Sequence, residues 1–176
     1  KMFLFLINAA FVSKYGSLIP ESALLFASPV ACGTMMVGLL ITSGEVVWIF
    51  SLFLSVVLSL MVDMRFAFFL VTIAGSLAAA RGVYGCKKRN DIYRAGLRTG
   101  AVNAAVIALA IAVEHFGDSG FIAQLVWSVP AGMASGFGAS LIAMMLIPAL
   151  ETIFNSTTDV KLLELSNLNH PLLKDM

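Results

Sequence analysis

The sequence predicts an all-α protein, a polytopic bundle of membrane-spanning helices followed by a cytoplasmic linker helix. Apolar residues make up 60% of the chain and charged residues only 12%, about half the charged share of a soluble domain. Mean hydropathy is +0.96. The charges lie in short islands, and the longest uncharged segment, residues 119–150, is long enough to cross a hydrocarbon layer about 30 Å thick.

Six uncharged segments predict six spans, the first of them incomplete. They form a membrane core over residues 1–154, with spans near residues 1–13, 22–43, 46–62, 66–84, 96–113 and 121–151. The first span is short because the chain begins within it, and no Met-led signal sequence precedes Lys1, so we interpret the chain as a fragment. The fourth and fifth helices must extend past Arg81 and Arg98 to reach spanning length, with those side chains reaching back to the interface.

The distribution of charge predicts how the chain is oriented, although the net charge is only +1. Between the fourth and fifth uncharged segments, residues 66–80 and 99–113, a single acid, Asp91, accompanies the basic residues Arg81, Lys87, Lys88, Arg89, Arg94 and Arg98. Lys and Arg favour the cytoplasmic side in short loops, so we expect this loop and the C-terminal tail to be cytoplasmic. Two short spans within residues 119–150, broken near Pro130 and Gly132, would instead place the tail outside. We therefore predict one helix there.

Small residues recur every fourth position in three spans. A spacing of four places side chains on one helix face, and small residues let membrane helices approach closely. The three stripes are Gly96, Gly100, Ala104, Ala108 and Ala112; Ser51, Ser55 and Ser59; and Gly132, Gly136 and Ser140. Serine hydroxyls can also bond to carbonyls of their own helix, so packing is favoured over a polar pathway along the second stripe.

No acid, base or metal-type cluster is predicted at mid-membrane depth, where transporters and pumps usually keep an ionisable side chain. Asn103 is the intramembrane polar candidate, and a plain inter-helix hydrogen bond is the ordinary role for such a residue. Pro29 and Pro148 lie within spans and should bend or interrupt their helices. Cys32 and Cys86 have no metal-binding spacing. The chain itself therefore offers no catalytic, cofactor-binding or metal-binding residue.

The character of the sequence changes after the last span. Short oxygen-bearing side chains at residues 155–158 suit a helix N-cap, and Asp159 suits the positive end of a helix dipole. Residues 155–176 are therefore predicted to form a linker helix with an apolar stripe at Leu162, Leu165, Leu168 and Leu172. Pro171 disfavours helical geometry at His170. The helix could lie on the membrane surface or pack against another domain.

Two segments carry a resemblance to a known family. Pro148, Glu151 and Phe154, followed by residues 158–173, resemble the junction between the last membrane helix and the catalytic domain in bacterial seven-transmembrane HD (HDIG) phosphodiesterases. Residues 91–97, which precede Asn103, resemble an inner loop of that family. The resemblance implies a linker role in signal transmission for Pro148, Glu151, Phe154, Asp159, Lys161, Leu162, Leu165, Asn167, Leu168, Asn169, His170 and Pro171.

The resemblance also implies a larger protein of the bacterial plasma (inner) membrane. That protein would have an extracytoplasmic sensory domain, a seven-helix core of which this chain holds six helices, and a cytoplasmic HD domain that hydrolyses cyclic di-AMP. A divalent metal, Mn or Fe, is expected in the missing HD domain, and no cofactor in this chain. The expected partners are the lipid bilayer, the two missing domains and a second copy in a homodimer, with no nucleic acid.

The expected function is that of a sensing and anchoring core that passes an extracytoplasmic signal to the HD domain. Two alternatives remain open on the sequence. The chain could be a fragment of a small-molecule permease, with Asn103 and the serine stripe lining the route. It could also be a passive membrane anchor and dimerisation module.

Overall fold

The computed structural model describes residues 21–41, 44–62, 65–86, 89–115 and 120–154. These residues form six α-helices, and no strand occurs among them: α1 (Glu21–Phe26), α2 (Ala31–Leu40), α3 (Gly44–Met61), α4 (Phe66–Val83), α5 (Arg89–His115) and α6 (Phe121–Phe154). The all-α prediction is confirmed. The predicted first span, residues 1–13, and the linker helix, residues 155–176, lie outside the described residues.

Five stretches of helix are long and apolar enough to cross a membrane. They are Ala23–Leu40, which joins α1 and α2, then Gly44–Met61, Phe66–Val83, Arg89–Glu114 and Phe121–Ala149. Large apolar side chains cover the outside of the bundle, including Phe53 at 66% exposure and Met145 at 80%. Lipid tails solvate such a surface as well as other side chains do, so the chain is a multi-pass membrane protein in contact with the bilayer.

The second span is interrupted rather than bent. Helix α1 ends at Phe26 and α2 begins at Ala31, with Pro29 between them. Proline has no N–H to donate to the carbonyl four residues back. That carbonyl, on Leu25, instead accepts a hydrogen bond from the Ser28 amide at 3.2 Å, and the helix stops.

The basic segment between the fourth and fifth spans, predicted to be a loop, is mostly helical. Helix α5 begins at Arg89, before the predicted start at residue 96, and Asp91 lies in its first turn. A carboxylate there stabilises the positive end of the helix dipole. The turn after α4 passes through Gly85 at a φ of 74°, a left-handed conformation that glycine adopts without strain.

Residues 121–154 form one continuous helix of 34 residues that contains Pro130 and Pro148. The preference for one helix over two short spans is confirmed. At 1.5 Å per residue α6 is about 51 Å long, well beyond the hydrocarbon thickness of about 30 Å. Part of α6 therefore extends out of the hydrocarbon layer.

Helices α5 and α6 approach each other at backbone distance. A Cβ atom added to Gly100 would lie 2.6 Å from the carbonyl oxygen of Met133, and one added to Gly136 would collide with the backbone of Gly100. Gly96 faces Ser140 in the same way. The predicted close packing of these two small-residue stripes is confirmed. It determines which polar residues of α5 and α6 face each other.

Candidate functional site

Asn103 forms a side-chain hydrogen bond between two helices inside the bundle. Its side chain, on α5, is 6% exposed, and its Nδ2 donates a hydrogen bond to the Ser135 Oγ of α6 at 3.1 Å. Ser135 Oγ in turn donates its own hydrogen to the Gly132 carbonyl at 2.9 Å. Because that hydrogen is already used, Ser135 can only accept from Asn103. The amide NH₂ therefore faces α6.

The other side of the Asn103 amide faces α4. A Cβ atom on Gly75 would collide with Asn103 Oδ1, so the space that Asn103 fills exists because residue 75 is glycine. Asn103 Oδ1 is buried and has no hydrogen-bond partner among the described residues. An amide side chain thus joins α5 to α6 and leaves one acceptor unsatisfied against α4.

A small cleft separates this polar group from the interrupted second span. The space in it that a water molecule could occupy is about 10 Å³. The described residues that line it include no charged side chain, and its polar members are Ser28, Thr72, Ser76, Asn103 and Ser135. The α1–α2 side contributes Leu25, Phe26, Ser28, Val30 and Ala31. The break at Pro29 therefore lies across the cleft from Asn103.

The serine stripe of α3 makes no comparable site. Ser51 and Ser55 are fully buried, and their hydroxyls donate to carbonyls of their own helix, Val47 at 2.7 Å and Ser51 at 2.8 Å. Ser59 is also buried. All three serines pack within the bundle, and Ser51 and Ser55 bond within α3, so the polar route required by the permease alternative has no support from them.

Of the predicted linker residues, the structure describes Pro148 and the backbone of Glu151 and Phe154. Pro148 is exposed on α6, and Glu151 and Phe154 lie in the last turns of that helix. The remaining linker residues, from Asp159 to Pro171, lie outside the described residues. No group of three His, Cys, Asp or Glu side chains that could hold a metal ion occurs in the described part of the chain.

Cys86, just after α4, lies near the charged start of α5. Its Sγ donates to the Gly82 carbonyl at 3.2 Å. Burial raises the pKa of the Cys86 thiol, the negative charge of Asp91 raises it further, and the positive charge of Arg98 lowers it. The thiol is therefore a poor nucleophile at neutral pH, because the thiolate is the reactive form.

The sequence identified Asn103 but missed the groups around it. Ser135 lies three residues after Gly132, a stripe residue that faces α5, and that spacing could have placed Ser135 toward α5 as well. No spacing pattern in the sequence relates Gly75 and Ser76 to Asn103, because only the packing of α4 on α5 brings them together.

Comparison with known proteins gives a family and two relatives. The family described as "7TM receptor with intracellular HD hydrolase" matches residues 2–158. The cyclic-di-AMP phosphodiesterase PgpH of Bacillus subtilis (strain 168) is 27% identical over 152 residues, which cover 83% of this chain and 21% of the relative. The protein of the same name from Listeria monocytogenes serotype 1/2a (strain 10403S) is 34% identical over 89 residues, which cover 49% of this chain and 12% of the relative. No solved structure matches the chain.

Proposed function

The chain belongs to the family of seven-transmembrane receptors with an intracellular HD hydrolase, and we propose that it is the membrane core through which an extracytoplasmic signal controls that hydrolase. In this proposal the core comprises residues 1–154 and continues into the cytoplasm through a linker helix at residues 155–176. The protein lies in the bacterial inner membrane, with the C-terminal end of this chain in the cytoplasm. The partners in the longer protein are an extracytoplasmic sensory domain and a cytoplasmic HD domain.

The proposed activity of the longer protein is hydrolysis of cyclic di-AMP. Both relatives are named cyclic-di-AMP phosphodiesterases. The chain spans only about a fifth of the length of the Bacillus relative and less of the Listeria relative, which leaves room for a separate catalytic domain. A divalent ion, Mn or Fe, would be bound by the HD domain.

Helix α6 is the element best placed to carry the signal, and this observation supports the proposal most strongly. It packs against α5, α2 and α1, and its 34 residues reach Glu151 and Phe154, where the family-like junction begins. The close approach at Gly100 and Gly136 leaves little space for α6 to move independently of α5. A change that favours one of two packed arrangements would therefore shift or rotate α6 and the linker together.

The test inserts alanines within α6, between Glu151 and Thr152, in the full-length protein. Each inserted residue rotates the downstream chain by about 100° and moves it by about 1.5 Å. Two alanines turn the junction by about 200°, whereas four turn it by about 400°, which is close to the original orientation but about 6 Å further along. The measurement is cyclic di-AMP hydrolysis in lipid nanodiscs, compared with the isolated HD domain as a control for catalytic competence.

If α6 transmits orientation, the two-alanine variant differs in activity from the wild type and the four-alanine variant returns toward it. A passive anchor and dimerisation module predicts that both insertions leave hydrolysis at the wild-type level. That second result would overturn the proposed transmission while leaving family membership intact.

A further inference from the structure

The cleft beside the broken second span contains two polar atoms that no described residue satisfies. Asn103 Oδ1 and Ser76 Oγ are both buried without a hydrogen-bond partner among the described residues, and both residues line the cleft. Ser76 is 0% exposed and Asn103 is 6% exposed. Buried polar side-chain atoms are nearly always satisfied, and an exception calls for an explanation such as a bound water or ion.

The chemistry of the lining residues specifies what the occupant must offer. Because the Asn103 NH₂ is directed at Ser135, the group left for the cleft is Oδ1, and a carbonyl oxygen can only accept a hydrogen bond. Thr72 Oγ1 donates its hydrogen to the Phe69 carbonyl at 3.0 Å, so it too is left only as an acceptor. The occupant must therefore donate hydrogen bonds. None of the described lining residues carries a negative charge, which disfavours a bare cation in an apolar environment.

We propose that the cleft binds an ordered water molecule that donates to Asn103 Oδ1 and contacts Ser76 Oγ, hydrating the break at Pro29. A buried water requires two to four polar partners and roughly 10–15 Å³ of space. The cleft supplies such partners and about 10 Å³, which is room for a single water molecule. Non-helical backbone at membrane depth is tolerated where it is buried in protein or lines a water-filled cavity, which the interruption between α1 and α2 would do. This site goes beyond the proposed function and does not depend on it.

A second buried serine supplies a matched control. Ser128 on α6 is also 0% exposed, and its Oγ also lacks a partner among the described residues, but it does not line the cleft. Removing a hydroxyl that has no partner is neutral or stabilising, whereas removing one that binds water leaves the water short of a partner. The same substitution should therefore destabilise the protein at Ser76 but not at Ser128 if only the cleft is hydrated.

The experiment measures the thermal unfolding midpoint of the full-length protein in lipid nanodiscs for Ser76→Ala and Ser128→Ala. We expect Ser76→Ala to lower the midpoint by several degrees and Ser128→Ala to leave it unchanged or raise it. Equal effects of the two substitutions would overturn the proposal. Replacing Na⁺ in the buffer by choline tests a cation: a fall in the wild-type midpoint that is absent in Asn103→Ala would also overturn it.

X-ray hydroxyl-radical footprinting of the wild type tests for the water directly and does not depend on any variant folding. Radicals formed from a bound water oxidise side chains beside it. Phe26 and Phe68 line the cleft although they are 7% and 5% exposed, and Phe53 lies midway along α3 at 66% exposure toward lipid. We expect Phe26 or Phe68 to be oxidised several-fold more than Phe53. Oxidation of both at or below the level of Phe53 would show a dry cleft and overturn the proposal.

Discussion

Gly136→Ala should weaken the association of α5 and α6, whereas Gly138→Ala, the same change two residues away, should not. Residue 136 is buried, and a Cβ there would collide with the backbone of Gly100. A Cβ on Gly138 meets nothing within 4 Å. Both substitutions add one methyl group to the same helix, so helix propensity changes almost equally in both, by up to about 1 kcal/mol in favour of alanine. The difference between the variants isolates the packing effect.

Gly100, the residue that Gly136 faces, indicates the size of a clash at this crossing. A Cβ on Gly100 would lie 2.6 Å from the Met133 carbonyl oxygen, whereas ordinary van der Waals contact begins at 3.4 Å. The helices would have to separate by about 0.8 Å, because a backbone carbonyl cannot rotate away as a side chain can. A gap of about 0.5–1 Å removes a quarter to a half of the dispersion attraction between atoms in contact, and overpacking typically costs about 1–3 kcal/mol. We expect the free energy of unfolding of Gly136→Ala to be about 1–3 kcal/mol lower than that of Gly138→Ala.

Steric trapping of the full-length protein measures this difference. Biotin tags at Val113 and Ile122, which are 85% and 72% exposed on the facing ends of α5 and α6, would allow two streptavidin molecules to bind together only when the helices separate. The free energy of separation follows from the affinity of the second streptavidin. Equal values for Gly136→Ala and Gly138→Ala would refute close backbone contact at this crossing.

Two further predictions concern single polar groups. Asn103→Ala and Ser135→Ala, combined in a double-mutant cycle on unfolding free energy, should show a coupling of about 0.6 kcal/mol, the mean for hydrogen bonds between membrane helices; strict additivity would contradict the hydrogen bond between them. Burial first, and then the charge of Asp91, raise the pKa of the Cys86 thiol, so labelling of Cys86 by maleimide should be slow at neutral pH and accelerate as pH rises. Asp91→Asn removes the negative charge, lowers that pKa and should speed labelling at neutral pH, and an unchanged rate would contradict the electrostatic contribution.

The small-residue stripes could be predicted because they depend only on helix geometry. Residues four apart share a face whatever the rest of the protein does, and glycines on two such faces favour contact between them. Gly100 and Gly136 meet as that argument requires. The single helix across residues 121–150 could also be predicted, because the length of the uncharged segment and the distribution of charge both favour one crossing.

The interruption of the second span was only half predicted. Pro29 marks the position where a helical hydrogen bond is lost, but a proline can either kink a membrane helix or end it, depending on what satisfies the freed backbone groups. Here Leu25 accepts from Ser28 instead, and the helix ends. The start of α5 at Arg89 differs from the prediction for a related reason. A cluster of charges favours a loop between spans, but nothing between Arg89 and Tyr93 breaks a helix.

The cleft could not be predicted from the sequence. Ser76 and Ser55 are both fully buried serines in apolar helices, and nothing local distinguishes them. Ser55 bonds to its own helix, whereas Ser76 has no partner among the described residues and lies beside Asn103 in the cleft. The difference arises from which helix packs opposite each residue, and that is a long-range property of the fold.

The position of Asn103 connects the two proposals physically. Its NH₂ bonds to Ser135 on α6, the helix that leads to the junction, while its Oδ1 faces the cleft at the break in the second span. If a water bridges that cleft, movement of the α1–α2 break changes the hydrogen bonding of an amide that also holds α6. Loss of the water would leave Oδ1 unsatisfied and favour a different orientation of the amide, which would weaken its hydrogen bond to Ser135. A signal that alters the break would then reach α6 through one side chain, without any charged group inside the membrane.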